Sequence, residues 1–167
     1  MSHLTHTAVR EAATDVTDVT KPVVEFVAAI NRGDLDGAIA QLTPDHLHHG
    51  KVSNYRPEGV RVLFTLLREV MPDLRLDIRE MTVDGNRVIS RLVATGVHTG
   101  SYLGKEPTGR PVAWQSVDIA EIKPGLREND WRIDERFWFL LLEPIPISFR
   151  LAIDGIERVC AVVVRRD

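Results

Sequence analysis

The chain has 167 residues, of which 44% are hydrophobic and 27% charged, and this composition favours one globular domain with a real core. Its formal net charge of -3 argues against a nucleic-acid partner. Cys160 is the single cysteine, so an intrachain disulfide is excluded and a reducing compartment is expected. Met1–Thr20 lacks the apolar core of a signal peptide and no apolar run reaches membrane-spanning length, so we expect a cytoplasmic protein without a membrane partner.

Three helices are predicted in the first half of the chain. Residues 1–20 are rich in Thr, Ala and charge and predict a flexible segment. Pro22 suits the first turn of a helix that ends at Gly33, and Asp34 can cap a short second helix. Pro57 starts the third helix, whose predicted inner face is Val60, Leu63, Phe64, Leu67 and Val70 or Met71.

Strands are predicted from Leu74 onward, where apolar and polar residues begin to alternate. A first strand leads into a hairpin turn at Asp84-Gly85-Asn86. The loop from Thr99 to Arg110 is rich in Gly and Pro, and long strands are predicted at Arg87–His98, Pro111–Lys123 and Trp131–Leu142. Helices followed by an antiparallel meander predict an α+β fold with the helices on one face of a curved sheet.

The tail, Ile145–Asp167, carries a helical apolar stripe weakened by the β-branched run Val162-Val163-Val164. The tail either covers its own domain or contacts a second copy of the chain.

One carboxylate, Asp118, stands in the strand Pro111–Lys123 among apolar neighbours. A carboxylate in that setting is unfavourable unless it is paired, solvated or used. Strand alternation places it on the same face as Trp114 and Ser116, which would make a pocket wall of an acid, a ring and a hydroxyl. An apolar pocket favours the neutral form of a carboxyl group, which can then donate a hydrogen bond. The alternative is an ordinary strand acid paired with a neighbouring arginine.

Three histidines, His46, His48 and His49, follow the second helix in a short extended segment and turn. Alternation puts His46 and His48 on one face and His49 on the other. A histidine can act as acid or base near neutral pH, and we prefer His49 over His48 as the one that faces the pocket. The other two are expected to be solvated. No zinc-type spacing accompanies them, so no metal is predicted.

Further candidates surround these residues. Arg136 and Trp138 share a face of the last strand with Asp134 and Leu140, and Arg136 either pairs with Asp118 or makes a surface ion pair. His98 either lines the pocket mouth or braces the turn at Gly100. Asn54 and Tyr55 are placed in a loop that covers the pocket entrance.

Two stretches carry a family resemblance. VVEFVAAINRGDLDGAIAQLTPDHLHHG resembles the opening of the nuclear transport factor 2-like superfamily. The TGVH-T-G step, the PTGR turn and the valine-aspartate step at Asp118 resemble its SnoaL-like polyketide cyclase branch. The resemblance covers about Val23–Pro146. It implies a cone in which three N-terminal helices pack on a curved, mainly antiparallel sheet that encloses a pocket. We place this cone domain at 21–146 and a C-terminal extension at 147–167. The resemblance also implies that the protein needs no cofactor and forms a homodimer.

The sequence departs from the family pattern at two positions. SnoaL-type cyclases carry an aspartate on the last strand, where Glu135–Leu141 has a leucine. Ketosteroid isomerases place a tyrosine on the first helix, where Phe26 stands here as a predicted pocket residue. Asp118 matches the functional acid of the valine-aspartate step.

The resemblance implies a cyclase or isomerase that acts on a polyketide-like or similar apolar oxygenated metabolite. Asp118 would be the main acid or base, with His48 or His49 handling a second proton and Arg136 holding an oxyanion. Two alternatives stay open: epoxide opening, by water or by an internal hydroxyl that forms a cyclic ether, and a non-catalytic binding or assembly module.

Overall fold

The computed structural model describes residues 16–50, 54–101, 106–124 and 131–141. Its helices and strands, in chain order, are α1 (Val16–Arg32), α2 (Leu35–Ile39), β1 (Leu42–His49), β2 (Asn54–Tyr55), α3 (Pro57–Val70), β3 (Arg75–Asp84), β4 (Arg87–Val97), β5 (Pro111–Pro124) and β6 (Trp131–Leu141).

The first helix begins earlier than predicted, because α1 starts at Val16 and carries Pro22 inside it. Proline removes one helical hydrogen bond at that point. The added turn buries Val19 in the same core as Val23 and Phe26, which offsets that loss. The helix ends as predicted, since Gly33 follows Arg32 with a φ of 76°.

The other two helices follow their sequence signals. The Asp34 carboxylate accepts a hydrogen bond of 2.8 Å from the backbone N–H of Gly37 and so caps α2. Pro57 stands at the start of α3, where its missing N–H has no helical partner to lose. The inner face of α3 is buried as its spacing predicted, at Val60, Leu63, Phe64, Leu67 and Val70.

Six strands form one open sheet in the order β2-β1-β6-β5-β4-β3. Strands β3 to β6 make an antiparallel meander, whereas β1 pairs parallel to β6. Every second residue of β4 and β5 is buried, which marks the face that the helices cover. The predicted α+β fold with helices packed on a curved sheet is confirmed.

The region before α3 is more regular than predicted. β1 runs from Leu42 through Pro44 to His49, and Asn54-Tyr55 pairs with its end as β2 rather than forming a loop. The pairing of β1 with β6 shifts register between Leu42 and Leu47, and proline is tolerated at such an irregularity.

The loop after β4 is anchored to the end of α3. The backbone N–H groups of Thr99 and Gly100 donate to the Val70 carbonyl at 3.1 and 3.0 Å. A Cβ at Gly100 would lie 1.8 Å from the carbonyl oxygen of Glu69, so only glycine permits this approach.

No helix within the described ranges is both long and apolar enough to cross a membrane. The predicted helical stripe of the tail lies outside the described residues.

Candidate functional site

The Asp118 side chain is held on the helix-covered face of β5 and is only 2% exposed. The alternation of β5 brings Trp114 and Ser116 to the same face, and both are buried as well. Cross-strand pairing sets Asp118 opposite Ser90 of β4 and opposite Trp138 of β6. The acid, the ring and the hydroxyl therefore meet on one buried wall, as predicted.

This wall borders a narrow cavity of about 20 Å³. A volume of that size has room for about one water molecule. Helix α3 covers the cavity from the opposite side with two leucines and a phenylalanine, so most of the lining is apolar. The lining consists of His48, Leu63, Phe64, Leu67, Leu76, Leu92, Ala94, Trp114, Ser116 and Asp118.

The histidine that reaches this cavity is His48, not His49. His48 is 3% exposed, whereas His49 is only partly buried and is not among the lining residues. The prediction that His49 faces the pocket is therefore wrong. The expectation that the other two would be solvated is also wrong, because His46 is fully buried.

Tyr55 fixes the plane of the His48 ring by stacking on it, with ring centroids 4.5 Å apart and planes 18° apart. Tyr55 is itself 1% exposed. A Cβ at Gly59 would lie 2.6 Å from the Tyr55 Cβ, so glycine in the first turn of α3 lets the tyrosine sit close to the helix. A small residue on one element thus sets the position of a histidine on another.

His46 lies beside His48, with ring centroids 6.2 Å apart. Its Nδ1 is 3.2 Å from the Ile133 carbonyl oxygen. A carbonyl can only accept, so Nδ1 carries the proton of this hydrogen bond. His46 therefore has a structural partner on β6 and joins the two strands beneath the cavity.

A β-bulge lies next to His46. Glu121 pairs with Glu135 while Ile122 pairs with Ile133, which leaves Asp134 as the extra residue. The bulge interrupts the regular alternation of β6, on which the prediction that Asp134 shares a face with Arg136 depends.

The Asp134 carboxylate is well partnered at this bulge. It accepts hydrogen bonds from Lys123 Nζ at 2.6 Å and from the Thr43 hydroxyl at 2.9 Å. Burial raises the pKa of Asp134, but these two hydrogen bonds, with the positive charges of Lys123 and His46, outweigh burial and hold the pKa below its ordinary value of 3.8.

This lowered pKa predicts a pH-dependent contribution to stability. The folded state favours the carboxylate, so the stabilisation is present above pH 3.8 and is lost as pH falls through the lowered pKa. We expect Asp134→Asn to have a lower Tm than the unchanged protein at pH 7, with the difference shrinking below pH 3.8. Thermal unfolding followed by circular dichroism checks this. Asp84→Asn, at an exposed acid of β3, is the control, and a difference for Asp134→Asn that is constant across pH would contradict the prediction.

Three other sequence candidates, Asn54, Phe26 and His98, lie away from the cavity lining. Asn54 is exposed at the edge strand β2, where it pairs with His49. Phe26 packs edge-on against Phe64 behind the cavity, with centroids 5.8 Å apart. His98 hydrogen-bonds through Nδ1 to the Thr108 hydroxyl at 3.2 Å, and its backbone pairs with Gly109 and Arg110. His98 thus braces the loop between β4 and β5 through Thr108, Gly109 and Arg110.

The side chains of Arg136 and Trp138 lie outside the described part of the structure. The backbone register of β6 places Arg136 between His48 of β1 and Ala120 of β5. Trp138 stands opposite Asp118. The backbone of Arg136 is therefore next to that of the cavity histidine, and the backbone of Trp138 is next to that of the acid.

A larger depression of about 550 Å³ lies elsewhere on the molecule, lined by Asp73, Arg75, Thr95, Gly96, Val97, Pro111, Val112 and Ala113. It is open to solvent, and the Asp73 carboxylate in it accepts a structural hydrogen bond from the Val97 N–H at 2.8 Å. We assign the site to the smaller cavity, because only that one combines enclosure with an acid and a histidine.

Two features of the site are not among those predicted from the sequence. The apolar roof, Leu63, Phe64 and Leu67, was predicted as core but not as cavity lining. Ser90 was not singled out, although it occupies an inward position of β4 between Val88 and Leu92 and is 1% exposed. A polar residue at an inward position of an otherwise apolar strand is the same pattern that marks Asp118. Within the described ranges, no three His, Cys, Asp or Glu residues come together in a way that could hold a metal ion.

Comparison with known proteins points to one family. The family model for SnoaL-like polyketide cyclases matches residues 21–137. No curated protein matches the chain.

Three solved structures illustrate the shared architecture. AclR from Streptomyces galilaeus, named as a hydroxylase candidate, is 26% identical with a TM-score of 0.69, over 82% of this chain and 97% of its own. A SnoaL-like polyketide cyclase candidate from Jannaschia sp. CCS1 is 20% identical with a TM-score of 0.67, over 88% and 99%. IdmH from Streptomyces antibioticus, a polyketide cyclase candidate, is 20% identical with a TM-score of 0.63, over 83% and 96%.

These comparisons agree with the fold described above. With 117 of its 167 residues matched by one family model (residues 21–137), the chain belongs to the SnoaL-like polyketide cyclase family.

Proposed function

We propose that this protein is a cofactor-independent cyclase or isomerase acting on a polyketide-like or similar apolar oxygenated metabolite. The observation that carries the proposal is one enclosed apolar cavity lined by both a buried carboxyl group, Asp118, and a buried imidazole, His48. Acids and bases buried in apolar clefts are typical of catalytic sites. The family match supports the same class of reaction.

Asp118 and His48 would divide the proton transfers between them. Asp118 exchanges a proton with the substrate, and His48, held in plane by Tyr55, moves or steadies a second proton. The walls from α3 exclude water, which strengthens each electrostatic interaction inside the cavity. Arg136, whose backbone lies beside His48, is the proposed partner for a developing oxyanion.

The size of the cavity sets a condition on this function. A volume of about 20 Å³ does not admit a polyketide-sized molecule, so lining side chains must move aside when the substrate enters. Leu63, Phe64 and Leu67 belong to one helix and would move together if α3 shifted away from the sheet. We propose this movement of α3 as the opening step.

Proton exchange gives a test that does not require the physiological substrate. A panel of 1,3-diketones in D₂O, followed by NMR, reports enzyme-catalysed exchange of the acidic C–H protons. We expect His48→Gln to lower the exchange rate by about 10²-fold or more, since one acid–base group contributes about 10²–10⁴-fold. His49→Gln is the matched variant on the neighbouring residue and should lower the rate far less. Equal losses for the two variants would contradict the placement of His48 as the cavity base.

Epoxide opening is the second candidate, because an acid and a base facing one cavity serve it equally well. Asp118 would protonate the epoxide oxygen while His48 removes a proton from water or from an internal hydroxyl. Mass spectrometry of the product formed in H₂¹⁸O separates the two routes. Incorporated label indicates hydrolysis, and its absence with a cyclic ether product indicates internal opening.

A non-catalytic binding module would bind members of the panel without exchanging their protons. A homodimer and a cytoplasmic location stay predictions, and light scattering of the purified full-length chain tests the former.

A further inference from the structure

Ser90 is a buried hydroxyl that the reaction proposed above does not use. It lies at an inward position of β4 and is 1% exposed. Its Oγ has no hydrogen-bond partner among the residues that the structure describes. A buried hydroxyl without a partner is unfavourable, whereas an alanine at the same place would leave nothing unsatisfied. The side chain therefore points to an interaction that forms in another state of the site.

The neighbours of Ser90 identify the partner. Met81 of β3 and Asp118 of β5 stand directly opposite it, and Val88 and Leu92 flank it on its own face of β4. Of these four side chains, only Asp118 offers a strong acceptor. Residues opposite each other on antiparallel strands have Cβ atoms about 4.5–5.5 Å apart. Rotation about the Cα–Cβ bond of Ser90 can therefore direct its O–H toward the Asp118 carboxyl.

We propose that Ser90 is a positioning residue that donates a hydrogen bond to the Asp118 carboxylate once Asp118 has given up its proton. The inference rests on the proposed role of Asp118 as an acid and base. A hydrogen bond to the charged form of a carboxyl favours that form, while an apolar cavity favours the neutral one. Ser90 thus brings the neutral and charged forms of Asp118 closer in free energy. A residue that both donates and accepts a proton during the reaction needs such a balance.

The charged groups around Asp118 are the same with or without this hydroxyl. Among the residues that the structure describes, His48 of β1 is the other titratable residue that lines the cavity. The backbone of Arg136 pairs with Ala120, two residues along β5 from Asp118. α3, β3 and β4 contribute only uncharged side chains to the lining. Substitution of Ser90 changes none of these groups, so a change in Asp118 ionisation reports on the hydroxyl itself.

The test is a titration of Asp118 in the full-length chain labelled with ¹³C-carboxyl aspartate and followed by NMR. We expect Ser90→Ala to raise the pH of half-ionisation by about one unit, since hydrogen bonds to charged groups are worth about one to two pH units. Ser90→Thr keeps the hydroxyl and should restore a value near that of the unchanged protein. Ser116→Ala removes the other buried hydroxyl of this wall, about 6.6 Å along the strand, and should shift the midpoint less.

Two further readouts separate a positioning role from a structural one. Ser90→Ala should be at least as stable as the unchanged protein at a pH where Asp118 is neutral, because it loses an unpaired polar group. The pH–rate profile of proton exchange should move in the same direction as the titration midpoint.

A midpoint for Ser90→Ala that is unchanged or lower overturns the inference, as does an equal shift in Ser116→Ala. The titration needs no substrate, so this result is distinct from a failure of the proposed function, which would show as undiminished turnover in Asp118→Asn.

Discussion

Replacement of Asp118 by asparagine is expected to lower turnover by about 10²–10⁴-fold, the usual contribution of one acid–base group. The side chain is 2% exposed and lines the enclosed cavity, so bulk water cannot take over its proton transfer. Asparagine preserves the shape and can still hydrogen-bond, but it cannot give or take a proton at neutral pH. Diketone exchange or product formation measures the loss.

Asp84→Asn is the matched control, since it makes the same chemical change at an exposed position of β3. Circular dichroism and Tm establish that both variants are folded. Full turnover in a folded Asp118→Asn protein would remove Asp118 from the mechanism and leave only the architecture.

Replacement of Trp114 by alanine is expected to lower the free energy of unfolding by about 3–5 kcal/mol. The indole is 2% exposed and stands opposite Ala94 of β4, whose small side chain leaves room for the ring across the strand pair. Its removal leaves a void in the wall of the cavity, and the surrounding sheet cannot fill that void. Urea unfolding measures the loss.

Ile89→Ala provides the comparison, because Ile89 is a large apolar residue of the same sheet but is 37% exposed. Its loss should stay within about 1 kcal/mol. Added indole should raise the Tm of Trp114→Ala more than that of the unchanged protein, because it fits the space that the ring vacated. An unfolding free energy reduced by less than about 1 kcal/mol would mean that the ring does not support the wall.

Much of this architecture could be predicted because its signals are local. The spacing of Leu63, Phe64 and Leu67 after Pro57 defines a helix and its buried face without reference to the rest of the chain. The alternation of β4 and β5 likewise identifies which side of each strand is buried. Asp118 could be placed inward for the same reason, since its neighbours two residues away share its face.

The site histidine could not be assigned in this way. β1 is short, carries Pro44 and shifts register against β6, so the face that each residue presents depends on pairing with a distant strand. The sequence separates His46 and His48 from His49 by alternation, but which of the two faces points inward depends on the pairing of β1 with β6. The bulge at Asp134 is equally invisible in sequence, because Lys123 and Thr43, which hold its carboxylate, come from two other strands.

The parallel pairing of β1 with β6 has a consequence for the order in which the protein acquires its site. His48 lies beside Arg136 in the sheet, although synthesis of the chain separates them by most of the domain. Contacts of such long sequence separation close large loops and form slowly. The helices and the β3–β4–β5 meander can condense as soon as they leave the ribosome, while β1 must wait for its neighbour. We therefore expect the imidazole to join the carboxyl late in folding, so that the chain becomes chemically competent after it has become compact.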